Sequence, residues 1–198
     1  SIKEPVDGVL QAGTVALAGQ TPLPTTLEGI QVLVDNVPVP LFFISSTQIN
    51  FQIPFEITPG AVVQVVVVRN GIHSPAVPVQ TAEFAPAVFT NPHTGDPIVQ
   101  RHPDYSVISG ENPAKADDIL IVYITGVGGL TNPPPTGAAA VANPLSISTV
   151  LPVVTLEGAP LTVYSAALSP TFIGLAQVAI QMPSTLNAAG ESMALVIK

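Results

Sequence analysis

The chain of 198 residues carries 13 acidic and 5 basic side chains for a net charge of −8, so only 9% of it is charged, against roughly a quarter in an average soluble domain. Beside that shortage stand 22 prolines, 15 glycines, 27 valines, no cysteine and no tryptophan in a composition that is 47% hydrophobic. Such a chain is too apolar for intrinsic disorder, too poor in glycine for collagen and too poor in cations to bind nucleic acid, and it lacks the thiols of a disulfide framework or thiolate zinc site.

Helix signals are nearly absent, because no stretch of a dozen residues keeps a 3.6-residue period without a proline. Strand signals run through the chain instead. Ile30 to Val34 and Val37 to Ile44 flank Asp35-Asn36, a pair that tolerates positive φ, and predict a hairpin. Ser46 to Pro54 alternates, placing Ile49, Phe51 and Ile53 on one face of a half-buried strand and Gln48, Asn50 and Gln52 on the other. Ala61 to Val68 is apolar except for Gln64, which predicts cover on both faces, and Arg69-Asn70-Gly71 predicts a tight turn into a further strand over Ile72 to Gln80. In the second half the strongest strand is Ile119 to Thr125, followed by a Pro- and Gly-rich stretch from Gly126 to Pro144. Later strands are expected at Leu161 to Tyr164, Ala166 to Ile173, Ala176 to Met182 and Ser192 to Ile197. Asn-Pro pairs starting at Asn91, Asn112, Asn132 and Asn143 mark turns or extended segments between them. The long uncharged tracts are interrupted by Pro133-Pro134-Pro135, Pro144, Pro152, Pro170 and Pro183, so none predicts a membrane-spanning helix. The expected fold class is all-β.

The halves are related by an internal repeat. A shift of 129 positions sets Thr26-Leu27-Glu28-Gly29 on Thr155-Leu156-Glu157-Gly158 and, without a gap, pairs Val34 with Val163, Phe43-Ile44 with Phe172-Ile173, Gln48 with Gln177, Gln52 with Gln181 and Pro54 with Pro183, ten identities in 29 positions. One inserted residue then brings Gly60 to Gly190 and the valine run from Val62 to Ser192 through Lys198. Two tandem modules are expected, 1–84 and 85–198, the second with the longer insertion, and each carries a net charge of −4. Copy one continues past its valine run into another strand, whereas copy two reaches Lys198 first. The last strand of copy two should therefore have an open edge, filled by another chain, by residues beyond Lys198, or by the non-repeated stretch Val88 to Gln100. With no signal peptide at its start, the chain reads as a mature fragment or a cytosolic protein.

A series of short motifs resembles a known family. Leu23-Pro24-Thr25-Thr26-Leu27, Ser46-Thr47-Gln48-Ile49-Asn50-Phe51-Gln52-Ile53-Pro54, Asn112-Pro113-Ala114-Lys115, Tyr123-Ile124-Thr125-Gly126-Val127-Gly128, Pro135-Thr136-Gly137 and Ser169-Pro170-Thr171-Phe172-Ile173-Gly174-Leu175-Ala176-Gln177 are together similar to the Solibacter-type C-terminal domain, which closes many large exported acidobacterial proteins. The resemblance covers most of the chain from about residue 20 onward. Departures are Glu28 in place of glycine, Ala116-Asp117 in place of Pro-Gly, Ala85-Pro86-Ala87 in place of Ala-Pro-Gly, and Ala176 in place of an aromatic. The resemblance implies two immunoglobulin-like β-sandwiches on an extracellular or cell-surface protein, and no chemistry.

Candidate sites are few. The densest polar stretch holds His93, Asp96, Arg101, His102 and Asp104, in which His93, Asp96, His102 and Asp104 are candidate ligands for a divalent ion if their side chains converge; otherwise it is a solvated loop. Gly126-Val127-Gly128-Gly129 begins like a dinucleotide fingerprint, but the prolines that follow supply no helix N-terminus, so it reads as a turn. Asp117-Asp118 reads as the start of a strand rather than half a calcium site, and Glu28 and Glu157 are explained by the repeat. Gln48, Asn50 and Gln52, echoed by Gln177 and Gln181, form either a partner-binding amide face or hydrogen bonds to neighbouring loops. Ser74 beside His73 is no nucleophile–base pair by adjacency alone. The expected function is a non-catalytic structural or adhesive module, without a cofactor, that binds a protein partner or itself through sheet faces and edges; the alternative is a ligand- or metal-binding module using loops 91–104 and 126–144.

Overall fold

A computed structural model of the chain describes residues 15–186 and 193–198, so Gly190 and Ser192 of the repeat lie outside the described residues. Every regular element among those described is a β-strand, every pairing is antiparallel, and no helix there is long and apolar enough to cross a membrane. The chain divides into two compact units. The first holds residues up to Ala82 together with Pro134–Ala139, and the second holds Glu83–Pro133 with Ala140–Lys198.

Unit 1 contains β1 (Ala16–Leu17), β2 (Ile30–Val34), β3 (Val37–Pro38), β4 (Leu41–Ile44), β5 (Ile49–Phe51), β6 (Val62–Arg69), β7 (Ile72–His73) and β8 (Val77–Gln80). One sheet runs β1-β4-β5; the other runs β3-β2-β6-β7, with β8 also on β6. A single cluster of buried side chains draws on both: Ile30, Val32, Val34, Val63, Val65 and Val67 from one sheet, Leu41, Ile44 and Ile49 from the other. Two sheets sharing one apolar core is the layering of a β-sandwich. Asp35 and Asn36 take φ of 48° and 66°, as a tight hairpin requires, and the Asp35 carboxylate accepts from the Gln64 N–H. The return strand is shorter than the predicted Val37 to Ile44, because Pro38 and Pro40 cannot donate and the chain passes to the other sheet at Leu41.

Three further expectations change. Alternation over Ser46 to Pro54 holds only to Phe51: Gln52 turns inward and Ile53 outward, because the Gln52 side chain is bonded to the loop at Gly137. The valine run is covered mainly on one face, with Val62 and Gln64 exposed and Val63, Val65 and Val67 buried. Ile72 to Gln80 is broken at Ser74-Pro75, where the Ser74 hydroxyl accepts from the Val67 N–H in place of a backbone carbonyl.

Unit 2 contains β9 (Ala87–Val88), β10 (Val99–His102), β11 (Ile119–Thr125), β12 (Val154–Leu156), β13 (Ala159–Pro160), β14 (Thr162–Leu168), β15 (Ala176–Gln181) and β16 (Leu195–Ile197). The larger sheet is β10-β11-β15-β14, with β9 on β11, and the smaller is β13-β12-β16. Four consecutive apolar residues start β11, and Leu120, Ile121, Val122 and Ile124 are all buried in the middle of the sheet. The strand predicted from Ala166 to Ile173 is instead the end of β14, which carries a bulge between Val163 and Ser165 and stops at Leu168.

The repeat-related positions share one local geometry and then diverge. Glu28-Gly29 and Glu157-Gly158 both form turns with positive φ, 47° and 74° in one, 50° and 81° in the other. Beyond them Asp35-Asn36 is a hairpin turn while Tyr164-Ser165 lies within β14, and Phe43-Ile44 is strand while Phe172-Ile173 is loop.

Candidate functional site

The four candidate metal ligands fall on two separate turns. His93 and Asp96 lie in a hairpin turn closed by hydrogen bonds from the Asn91 N–H to the Asp96 carbonyl (2.8 Å) and from the Gly95 N–H to the Asn91 carbonyl (2.8 Å). His102 ends β10, and Asp104 lies in the turn that follows, where the Tyr105 N–H donates to the Arg101 carbonyl and the Ser106 N–H and hydroxyl both donate to Asp104. An extended strand rises about 3.3 Å per residue, so Asp96 and His102 are separated by roughly 15 Å or more. The set therefore does not converge on an ion, and no group of three or more His, Asp or Glu among the described residues could hold one. The expected 91–104 loop is corrected in a second way: Val99–His102 is a strand paired with β11, because Val99 is buried and the edge it leaves is bonded by Ser106 and Ile108.

Arg101, grouped by sequence with those ligands, instead organises the loops beside β10. Its Nε donates to Asp118 Oδ2 at 2.8 Å, its Nη1 to Ser106 Oγ and Asn112 Oδ1 at 3.0 Å each, and its Nη2 to the Pro113 carbonyl at 2.8 Å. Asp118 also accepts from the Lys115 N–H. Burial opposes the charge on Asp118, but the bonds from Arg101 and Lys115 outweigh it and hold the carboxyl below its ordinary range. The Ser106 N–H, then its hydroxyl, lower Asp104 as well. Burial, with a smaller contribution from Tyr105, raises Tyr123, whose hydroxyl donates to Gln100. These groups fix loops.

The remaining motifs are structural as well. Asp117-Asp118 stands immediately before β11. Gly126 and Gly128 have φ of 73° and 83°, and a Cβ would meet the Ala85 carbonyl at 2.0 Å and the Phe84 ring at 2.3 Å, so glycine here admits the 83–86 segment. Gln52 accepts from the Gly137 N–H at 2.8 Å, and the Leu23 N–H donates to the Gly137 carbonyl; this attaches the middle of the 126–144 insertion to unit 1. Gln181 accepts from the Tyr164 hydroxyl, and Gln48 donates to Asn50. The Ser74 hydroxyl is engaged by the backbone of Val67 and Pro75.

A feature with binding geometry is the outer edge of β16. Hydrogen-bonded and non-hydrogen-bonded pairs alternate along an antiparallel ladder, so the residues of non-hydrogen-bonded pairs aim their N–H and C=O away from the partner. Val153 and Lys198 exchange both bonds, and the Glu157 N–H donates to the Ala194 carbonyl. The intervening register, Val154 with Ile197 and Leu156 with Leu195, leaves Leu195 and Ile197 facing outward. No described residue pairs with them there. The stretch 88–100, one of the three expected fillers, pairs with β11.

Three other sheet edges are closed at the equivalent point. Bonds from the Val39, Thr81 and Leu161 N–H groups fix the phase of β3, β8 and β13, and in each the outward position is proline: Pro38, Pro78 and Pro160. Proline there removes the N–H that an incoming strand would use and leaves the internal ladder intact. β16 has leucine and isoleucine instead. The composition announced the prolines, but only the register shows which way they face.

No family model matches the chain, and no curated protein or solved structure matches it significantly.

Proposed function

We propose that the chain is a pair of immunoglobulin-like β-sandwich modules of the Solibacter-type C-terminal kind, and that it serves as a non-catalytic structural or adhesive part of an exported bacterial protein, binding through sheet edges. The observation that carries this reading is the β16 edge, which offers two outward N–H and two outward C=O groups beside the exposed apolar residues Val153 and Val196. The repeat supports it. With the one-residue insertion, Leu195 and Ile197 correspond to Val65 and Val67, whose outward groups are met by Val77 of β8 and by Ser74. Val65 and Val67 are thereby buried, whereas Leu195 and Ile197 remain half-buried.

A labelled peptide with the sequence of Ile72–Gln80 tests the reading. It should bind saturably to the dilute chain and slow hydrogen exchange at the amides of Leu195 and Ile197. Absence of both binding and protection would remove the basis for edge-mediated binding.

A further inference from the structure

Resting on that reading, we propose that the occupant of the β16 edge is the β16 of a second copy of this chain, running antiparallel across a two-fold axis at Val196. The edge is self-complementary in register. Pairing Val196 with Val196 of the other copy sets Leu195 opposite Ile197 and Ile197 opposite Leu195. Both members of each such pair face outward in the monomer, so each pair forms two backbone hydrogen bonds and the strand forms four. An isologous contact of this kind closes on itself and leaves no further open edge at the junction.

Side chains agree with the register on both faces. Leu156, Leu195, Ile197 and Val154 then line up across the two copies as one apolar row, repeated by symmetry, and the half-buried flanks of Leu195 and Ile197 become covered. On the opposite face Val196, 41% exposed, meets its own copy, with Thr155 on either side. The resulting six-stranded sheet ends at both sides in β13 with its outward Pro160.

Charge selects this register over a slipped one. Lys198 of each copy falls opposite Ala194 of the other, and Ala194 is paired with Glu157, whose carboxylate accepts from the Ala194 N–H. Lys198 and Glu157 then share a face across one small residue, with Cα atoms roughly 10 Å apart, within the combined reach of the two side chains. The net charge of −8 on each copy opposes approach at long range, but a Debye length of about 8 Å at physiological ionic strength screens that repulsion while the two Lys–Glu contacts act at closer range.

Sedimentation equilibrium of the chain from 10 to 500 µM in 150 mM salt is the test. The expected result is a monomer–dimer equilibrium that Ile197→Pro abolishes without lowering the melting temperature appreciably, since that N–H makes no bond within the monomer. Leu195→Pro, at the other outward position, serves if Ile197→Pro does not fold. Lys198→Glu should weaken the dimer by about five- to tenfold, because two exposed ion pairs become repulsions. A chain that is monomeric throughout this range overturns the proposal. So does a dimer that survives both proline variants, which would use another surface. If the chain is monomeric yet the Ile72–Gln80 peptide binds, the self-pairing is wrong and the edge-binding reading stands; if neither occurs, both fall.

Discussion

Replacing Arg101 with methionine keeps the length of the side chain and removes its charge and donors. Asp118 then loses the partner that offsets its burial, while Asn112, Ser106 and the Pro113 carbonyl lose the donors that tie their loop to β10. Breaking a fully buried pair by deleting one partner costs about 3–5 kcal/mol. Here the side chains of Arg101 and Asp118 retain 15% and 16% exposure, so water recovers part of that and the expected loss is about 2–3 kcal/mol. At about 2–4 °C per kcal/mol for a chain of this length, the melting temperature should fall by about 4–12 °C at pH 7. The pH dependence separates the ion pair from simple loss of packing. The native pKa of Asp118 lies below its unfolded value, so the stabilisation is fully present above the ordinary carboxylate pKa and is lost as pH falls through the native one. Urea titrations of the parent and the variant at pH 7 and pH 2 should therefore show a difference that narrows in acid without vanishing, since the bonds to neutral acceptors persist. A gap below about 1 kcal/mol at pH 7, or one of equal size at both pH values, would refute the assignment of Arg101 as the hub of these loops.

Three further substitutions test other close contacts of the fold. Gly126→Ala places a Cβ 2.0 Å from the Ala85 carbonyl at a φ of 73° and requires backbone movement, whereas Gly60→Ala, at a φ of 81° with nothing within 4 Å, bears only the conformational strain. The second should cost about 1–2 kcal/mol and the first clearly more, and thermal melts giving the two equal losses would contradict the close approach of residues 83–86. Gln52→Leu leaves the Gly137 N–H without its buried acceptor, at a cost of about 1–3 kcal/mol, and should speed hydrogen exchange at Gly137 and Leu23. Unchanged exchange at both amides would mean that Gln52 does not hold the 134–139 segment.

The all-β class was legible because it depends on local pattern: proline spacing rules out helices, and runs such as Ile119 to Thr125 have no alternative to a buried strand. What the sequence concealed depends on register and on long-range partners. Gln52 breaks the alternation of its segment because its acceptor serves Gly137, 85 residues away. Arg101 looked like part of a histidine–aspartate cluster because His102 and Asp104 are its neighbours in sequence, yet its partner Asp118 lies across the sheet start. The polar stretch 91–104 reads as a solvated loop and conceals β10, whose pairing with β11 is set by the buried Val99 and not by its flanks. The Glu-Gly turns show the opposite case: a two-residue turn is local, and both copies of the repeat keep it even where the strands after it differ.

Scarcity of charge and abundance of proline, the two compositional oddities, meet at the sheet edges. Soluble β proteins commonly guard an edge with lysine, with a bulge or with proline. With 5 cations in 198 residues this chain has little lysine to spend, and proline takes that role at Pro38, Pro78 and Pro160, each at the outward phase of its strand. Chance alone would place about half of such prolines at the inward phase, where each would delete a ladder bond and weaken the strand it joined. β3, β8 and β13 thus each carry a proline at an outward position, and β16 carries none. β16 has an apolar residue at both outward positions, and its nearest cation, Lys198, falls at an inward position, bonded to Val153. An edge left unguarded in a chain that closes others with proline is where association should begin, and Ile197→Pro, which gives β16 the same closure, is the substitution that should end it.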